Sequence, residues 1–134
     1  MTKEHINPLT LFPSVPLGFS QIVAARGGKT VYISGQTAWD AEKRIVGGND
    51  LGKQTRQALR NIRLAVETAG GAMSDVVSLR IYVVNYKRED ARTIGEALSE
   101  FFPADAPPAS TLLGVSSLAV EDFLIEIETI AVID

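Results

Sequence analysis

The sequence predicts an α+β fold: a mixed sheet carrying two helices on one face, in the order ββαβαββ. Three observations carry that prediction. Runs of β-forming residues recur at Phe19–Ala25, Thr30–Thr37, Asp75–Val84, Ser110–Val115 and Leu124–Ile133. Two stretches, about Leu51–Ala69 and Glu89–Phe102, instead space their apolar residues at helical intervals. The last run, LIEIETIAVI, is apolar on both faces. Two helices cover only one face of such a sheet, so the other is expected to meet a second copy of the chain.

The final run organises the rest. Side chains alternate along a strand, so Ile125, Ile127, Ala131 and Ile133 share one face and belong in a core. Leu124, Glu126, Glu128, Ile130 and Val132 share the other, which is too apolar for water and too charged for a dry core. Two readings stay open for it: a subunit contact around a polar site, or an exposed face with two solvated glutamates.

Taken in order, residues 1–18 hold Pro8, Pro13 and Pro16 and read as an extended lead-in. Arg26-Gly27-Gly28-Lys29 separates two β-like runs and signals a hairpin between them. The second run ends in Ser34-Gly35-Gln36, where Gly35 lets a ligand or another backbone approach closely. Trp39–Asp50 reads as a loop, with Trp39 expected to pack as a lid. The first helix places Ala58, Leu59, Ile62, Ala65, Val66 and Ala69 on one side and stops at Gly70-Gly71. Its opposite side carries Lys53, Arg56, Arg60 and Arg63, read as a solvated basic face.

In Asp75–Val84, Val77, Leu79, Ile81 and Val83 form an apolar face, and Val76, Ser78, Arg80, Tyr82 and Val84 a mixed one. The second helix turns Ala91, Ile94, Leu98 and Phe101 inward and ends before Pro103, with Glu89 and Asp90 suiting its N-terminal dipole. Arg80, Glu126 and Glu128 all fall on the side away from the helices, so Arg80 is expected to pair with one of the glutamates. The rival placement sends Arg80 into a ligand cleft beside Ser34.

Composition excludes several functions. The chain of 134 residues has length enough for one cored domain, and residues 1–134 are read as such. Neither an 18-residue apolar run nor a secretory leader is visible, so no membrane partner and a cytoplasmic location are expected. Cysteine is absent and His5 is the single histidine, which leaves no thiolate nucleophile and no metal-ligand spacing. No metal and no cofactor are expected. A net charge of −3 gives no broad field for nucleic acid.

VYISGQT, then Gln54, Ala58, Asn61 and Ile62, Val76–Val83, Phe101-Phe102, Pro108-Ala109 and IEIETIAV together resemble the Rid family. These are reactive intermediate (imine) deaminases, also called YjgF-like or endoribonuclease L-PSP proteins. The resemblance spans nearly the whole chain. It implies a chorismate-mutase-like α+β fold, a homotrimer with clefts between subunits, and cofactor-free hydrolysis of imine or enamine acids such as 2-aminoacrylate. By the same resemblance Glu126 is the water-activating carboxylate, Ser34 the site hydroxyl with Gly35 beside it, and Thr111 a retained site position. Three positions depart from the family pattern. Ser110 stands where an arginine clamps the substrate carboxylate, Phe19 where a tyrosine stands, and Gly95 where an asparagine stands. The chain therefore resembles an arginine-lacking branch of the family.

Three functional readings follow. The first is a hydrolase of a small imine or enamine metabolite other than 2-aminoacrylate, using Glu126 and Ser34, with Phe19, Gly35, Gly95, Ser110 and Thr111 around the substrate. The second is a non-catalytic trimer that binds a metabolite or a protein. The third, an endoribonuclease, has the acidic charge balance and the lack of a usable histidine against it.

Overall fold

The computed structural model describes residues 2–134. Its elements are β1 (Thr2–Ile6), β2 (Ile22–Arg26), β3 (Lys29–Gln36), α1 (Leu51–Thr68), β4 (Val76–Val84), α2 (Asp90–Ser99), β5 (Ala109–Val115) and β6 (Ile125–Ile133). The α+β class and the ββαβαββ core are as expected. Strand β1 is an addition, lying inside the segment read as an extended lead-in.

Four strands form the main sheet in the order β3-β6-β4-β5. Strand β6 is antiparallel to both neighbours, whereas β4 and β5 run parallel across the α2 crossover. Ile125, Ile127 and Ala131 of β6 are fully buried beneath the helices, beside Leu79, Ile81 and Val83 of β4. Leu59, Ile62 and Val66 of α1 and Ile94 and Ala97 of α2 complete that layer. Each large side chain buried so completely contributes about 1.5–3 kcal/mol.

Helix α1 begins where Asp50 accepts the Lys53 amide at 2.9 Å, and ends just before Gly70, whose φ of 100° only glycine adopts freely. The basic side of α1 is largely engaged within the chain. Arg56 bonds Glu100, Arg60 bonds Gln57, and Arg63 lies 5.2 Å from the Phe101 ring.

Three expectations need correction. The Gly27–Gly28 turn forms, with both φ values positive, but it does not close a β2–β3 hairpin. Strand β2 pairs with β1 in a separate two-stranded sheet, and β3 pairs with β6. Burial differs with the pairing: Ile33 of β3 is buried beside β6, whereas the apolar residues of β2 stay mostly exposed. Val76 is 2% exposed and belongs to the core, because an irregularity between Val76 and Ser78 shifts the alternation there. Helix α2 stops at Ser99 rather than near Phe102; the Phe101 and Phe102 amides both turn back to the Leu98 carbonyl. Its inner side is Ile94, Ala97 and Leu98, while Ala91 is exposed.

Candidate functional site

All the candidate residues but Thr111 divide into two groups on different parts of the molecule. Phe19, Gly95 and Ser110 line one cavity of about 520 Å³ between α2, the Val15–Leu17 turn and the β4–β5 side of the sheet. Each is brought there by its own element. Ser110 lies opposite Leu79 in the β4–β5 register, so it faces the helices, and Gly95 occupies the middle of α2. Phe19 is set by its neighbour Ser20, whose amide donates to the Pro108 carbonyl at 3.1 Å and whose hydroxyl donates to the Pro107 carbonyl. His5 Nδ1 lies 3.2 Å from Ser20 Oγ and 3.1 Å from the Pro107 oxygen, so β1 is tied to the same point.

The second group sits across the sheet. Strand β3 breaks register between Ile33 and Gln36, leaving Ser34 and Gly35 out of the ladder. A bulge of this kind re-aims side chains. Ser34 is exposed, and Glu126 lies beside Gly35 so closely that an added Cβ would come within 2.7 Å of the Glu126 carboxyl carbon. Gly35 is therefore the residue that leaves room for this carboxylate. Among the described residues no hydrogen bond or ion pair engages the Glu126 side chain, so both its oxygens are free to accept from water. Asn61 fixes the segment that follows, donating to the Thr37 and Trp39 carbonyls at 3.0 and 2.8 Å. Trp39 packs edge-on against Phe123 with ring centroids 4.9 Å apart, as a packing residue.

Two residues stand elsewhere. Thr111 follows Ser110 and so faces the opposite side, where it is exposed and opposite Arg80. Arg80 does lie directly across from Glu128, but the expected ion pair with Glu126 or Glu128 is absent among the described residues. Arg80 is exposed and keeps its hydration, so nothing compels a partner. Glu128 instead accepts the Tyr82 hydroxyl at 3.1 Å. Arg80 does not line the Ser110 cavity either.

The endoribonuclease L-PSP family model matches residues 13–133, which is nearly the whole chain. The chain belongs to the Rid family. Among solved structures, YyfB of the conserved Rid protein family from Yersinia pestis is 42% identical, with a TM-score of 0.94 over 99% of this chain and 100% of that one. It is described as a protein of unknown function. RidA from an Antarctic Psychrobacter is 31% identical over 85% of this chain and 87% of its own, with a TM-score of 0.70. A Mycobacterium tuberculosis member of the YjgF/YER057c/UK114 family is 30% identical over 98% and 100%, with a TM-score of 0.65.

Within this Rid fold, sequence reasoning missed the walls of the cavity. Ile81 and Leu98 read only as core, and Leu17 lay in a segment with no pattern, yet all three border the space beside Ser110. The signal was faint but present: Pro16-Leu17-Gly18 is a turn sequence, and Gly18 has a φ of 97°. Among the described residues no helix is long and apolar enough to cross a membrane.

Proposed function

We propose that this chain assembles as a homotrimer and hydrolyses an imine or enamine metabolite other than 2-aminoacrylate, without a cofactor, in clefts between subunits. The observation that carries the reading is the division of the candidate residues. Ser34 and Glu126 sit on the β3–β6 side of the sheet, whereas Phe19, Gly95 and Ser110 sit by β5, its other edge. One chain cannot close these halves on a small molecule. A second copy, placed head to tail, can, and repeated head-to-tail contacts that close generate a ring. The trimer also covers the sheet face left by the helices, where Tyr32 is 78% exposed and Leu113 46% exposed.

The chemistry asked of the site is modest. Glu126 takes a proton from a water as the oxygen adds to the imine carbon, giving a carbinolamine. The glutamate hands that proton to the nitrogen, then carries the carbinolamine hydroxyl proton to the nitrogen as the C–N bond breaks, so ammonia leaves, the carbonyl product remains and the carboxylate is regenerated. Ser34 positions the water or the nitrogen. Ser110 offers no positive charge, which argues against a substrate held by its carboxylate as in 2-aminoacrylate.

Imines generated in situ, with released ammonia as the readout, test the reading. Turnover that disappears in Glu126→Gln while the trimer persists by light scattering supports it. A monomer at micromolar concentration, or 2-aminoacrylate turnover matching that of arginine-bearing relatives, overturns it. The second reading, a binding protein without turnover, draws on Ser110, Gly95 and Phe19, which together remove the polar groups expected around a reacting substrate.

A further inference from the structure

The cavity beside Ser110 has a size that holds a small organic molecule, and its chemistry is one-sided. Leu17, Phe19, Ile81, Ile94, Leu98 and Leu112 supply its walls, and the Ser110 hydroxyl is a polar group among them. Among the described residues Arg92 is the one charged residue on its border, but its side chain is 86% exposed and its Nε bonds Glu96 at 3.2 Å. A carboxylate entering this space would shed its hydration without gaining a cationic partner. An apolar group would bury its surface at no such cost. Gly95 enlarges the space: a Cβ built there meets nothing within 4 Å.

We infer that this cavity binds the apolar portion of an uncharged ketone or ketimine, a compound carrying a ring or branched chain and no carboxylate. Ser110 donates to its carbonyl oxygen or imine nitrogen. The inference names the substrate class for the proposed hydrolase and rests on that reading for the reaction, but binding is measured without turnover. The two can therefore fail separately.

Phenylacetone and phenylpyruvate share one carbon frame and differ in a methyl group against a carboxylate. Calorimetric titration of the intact, assembled protein compares them directly. Phenylacetone is expected to bind at least tenfold more tightly than phenylpyruvate, and Ser110→Arg to reverse the order. Gly95→Leu is expected to weaken phenylacetone at least tenfold by occupying the space. Because that side chain meets no neighbour at its Cβ and glycine is a poor helix former, the thermal midpoint should hold or rise. A merely structural glycine would not lose the ketone while gaining stability. No binding of phenylacetone, tighter binding of phenylpyruvate by the wild type, or ketone binding undiminished in Gly95→Leu each overturns the inference. Ketone binding with no ketimine turnover leaves it standing and removes the hydrolase reading.

Discussion

Thr129→Val should make this protein more stable. Thr129 lies on the helix-facing side of β6, 1% exposed, opposite Ile33 of β3 and Leu79 of β4. Its hydroxyl oxygen is buried without a hydrogen-bond partner. An orphaned polar group of this kind costs about 1–3 kcal/mol, because unfolding returns it to water. Valine replaces the hydroxyl with a methyl of nearly the same shape, so the packing against Ile33 and Leu79 persists. The expected gain is about 1–2 kcal/mol, or roughly 3–8 °C in thermal midpoint for a chain of this size. Urea unfolding at fixed protomer concentration measures it, since the proposed association would make apparent stability depend on concentration. The midpoint should rise with the denaturant slope unchanged. Thr129→Ser is the control: it keeps the hydroxyl, loses a buried methyl, and should cost about 1 kcal/mol. A valine variant less stable than the wild type would refute the reasoning, since the hydroxyl would then have a partner in the folded state.

Further outcomes follow from other contacts. Gln54 is fully buried and donates to the Gly48 and Asp122 carbonyls at 2.7 and 2.9 Å while accepting the Leu124 amide at 2.9 Å. Gln54→Ala strands three backbone groups and should cost roughly 2–4 kcal/mol in chemical unfolding. Gly35→Ala drives a methyl against the Glu126 carboxyl, which is the far end of a flexible side chain. Its folding stability should change little, whereas the proposed hydrolysis should fall on the order of tenfold to a hundredfold because Glu126 is displaced; equal activity in both proteins would separate Glu126 from the chemistry. Asp40 has its pKa lowered, first by the Arg44 amide, against a smaller opposing effect of burial, and then by the Glu42 amide and the Arg44 side chain. A carboxylate depressed in the fold stabilises it above its unfolded value near 3.8 and loses that contribution as pH falls through the folded one. The protection of the Glu42 and Arg44 amides, taken relative to their intrinsic exchange rates, should therefore fall in acid below about pH 4 and hold at neutral pH.

The fold was legible where burial imposes a period. In β6 the alternation assigned Ile125, Ile127, Ala131 and Ile133 to the core, and all four are buried there. Helix α1 was equally plain, because an apolar stripe and a glycine pair mark its course and end; its Asp50 cap was read only as loop. Pairing partners were not legible. Gly27-Gly28 specifies a turn geometry, but whether the flanking strands pair depends on what else each can bury. Ile33 finds a deeper place beside β6 than beside β2. The same limit explains Val76, where one irregularity in β4 cancels an alternation that is sound for the seven residues Ser78–Val84.

The candidate site was legible residue by residue and illegible as a shape. Phe19, Gly95 and Ser110 read in the sequence as three separate departures from a family pattern, on a lead-in, a helix and a strand. In space they share one cavity, so the hydroxyl, amide and guanidinium that the family resemblance implies at these positions would all be lost from the same walls. That coincidence argues for a changed occupant more strongly than any one substitution does. Ser34, Gly35 and Glu126 form the opposite case. Their elements are far apart in the chain, yet adjacent β3 and β6 bring Gly35 against Glu126. What no single chain can supply is the contact between these two halves, because they lie by opposite edges of the β3-β6-β4-β5 sheet. Only a neighbour presenting its β5 side to the β3–β6 face brings an apolar cavity within reach of a partner-free carboxylate. On the proposed reading the chemistry of this site depends on assembly, and disrupting the proposed trimer should abolish the proposed turnover while leaving each cavity wall intact.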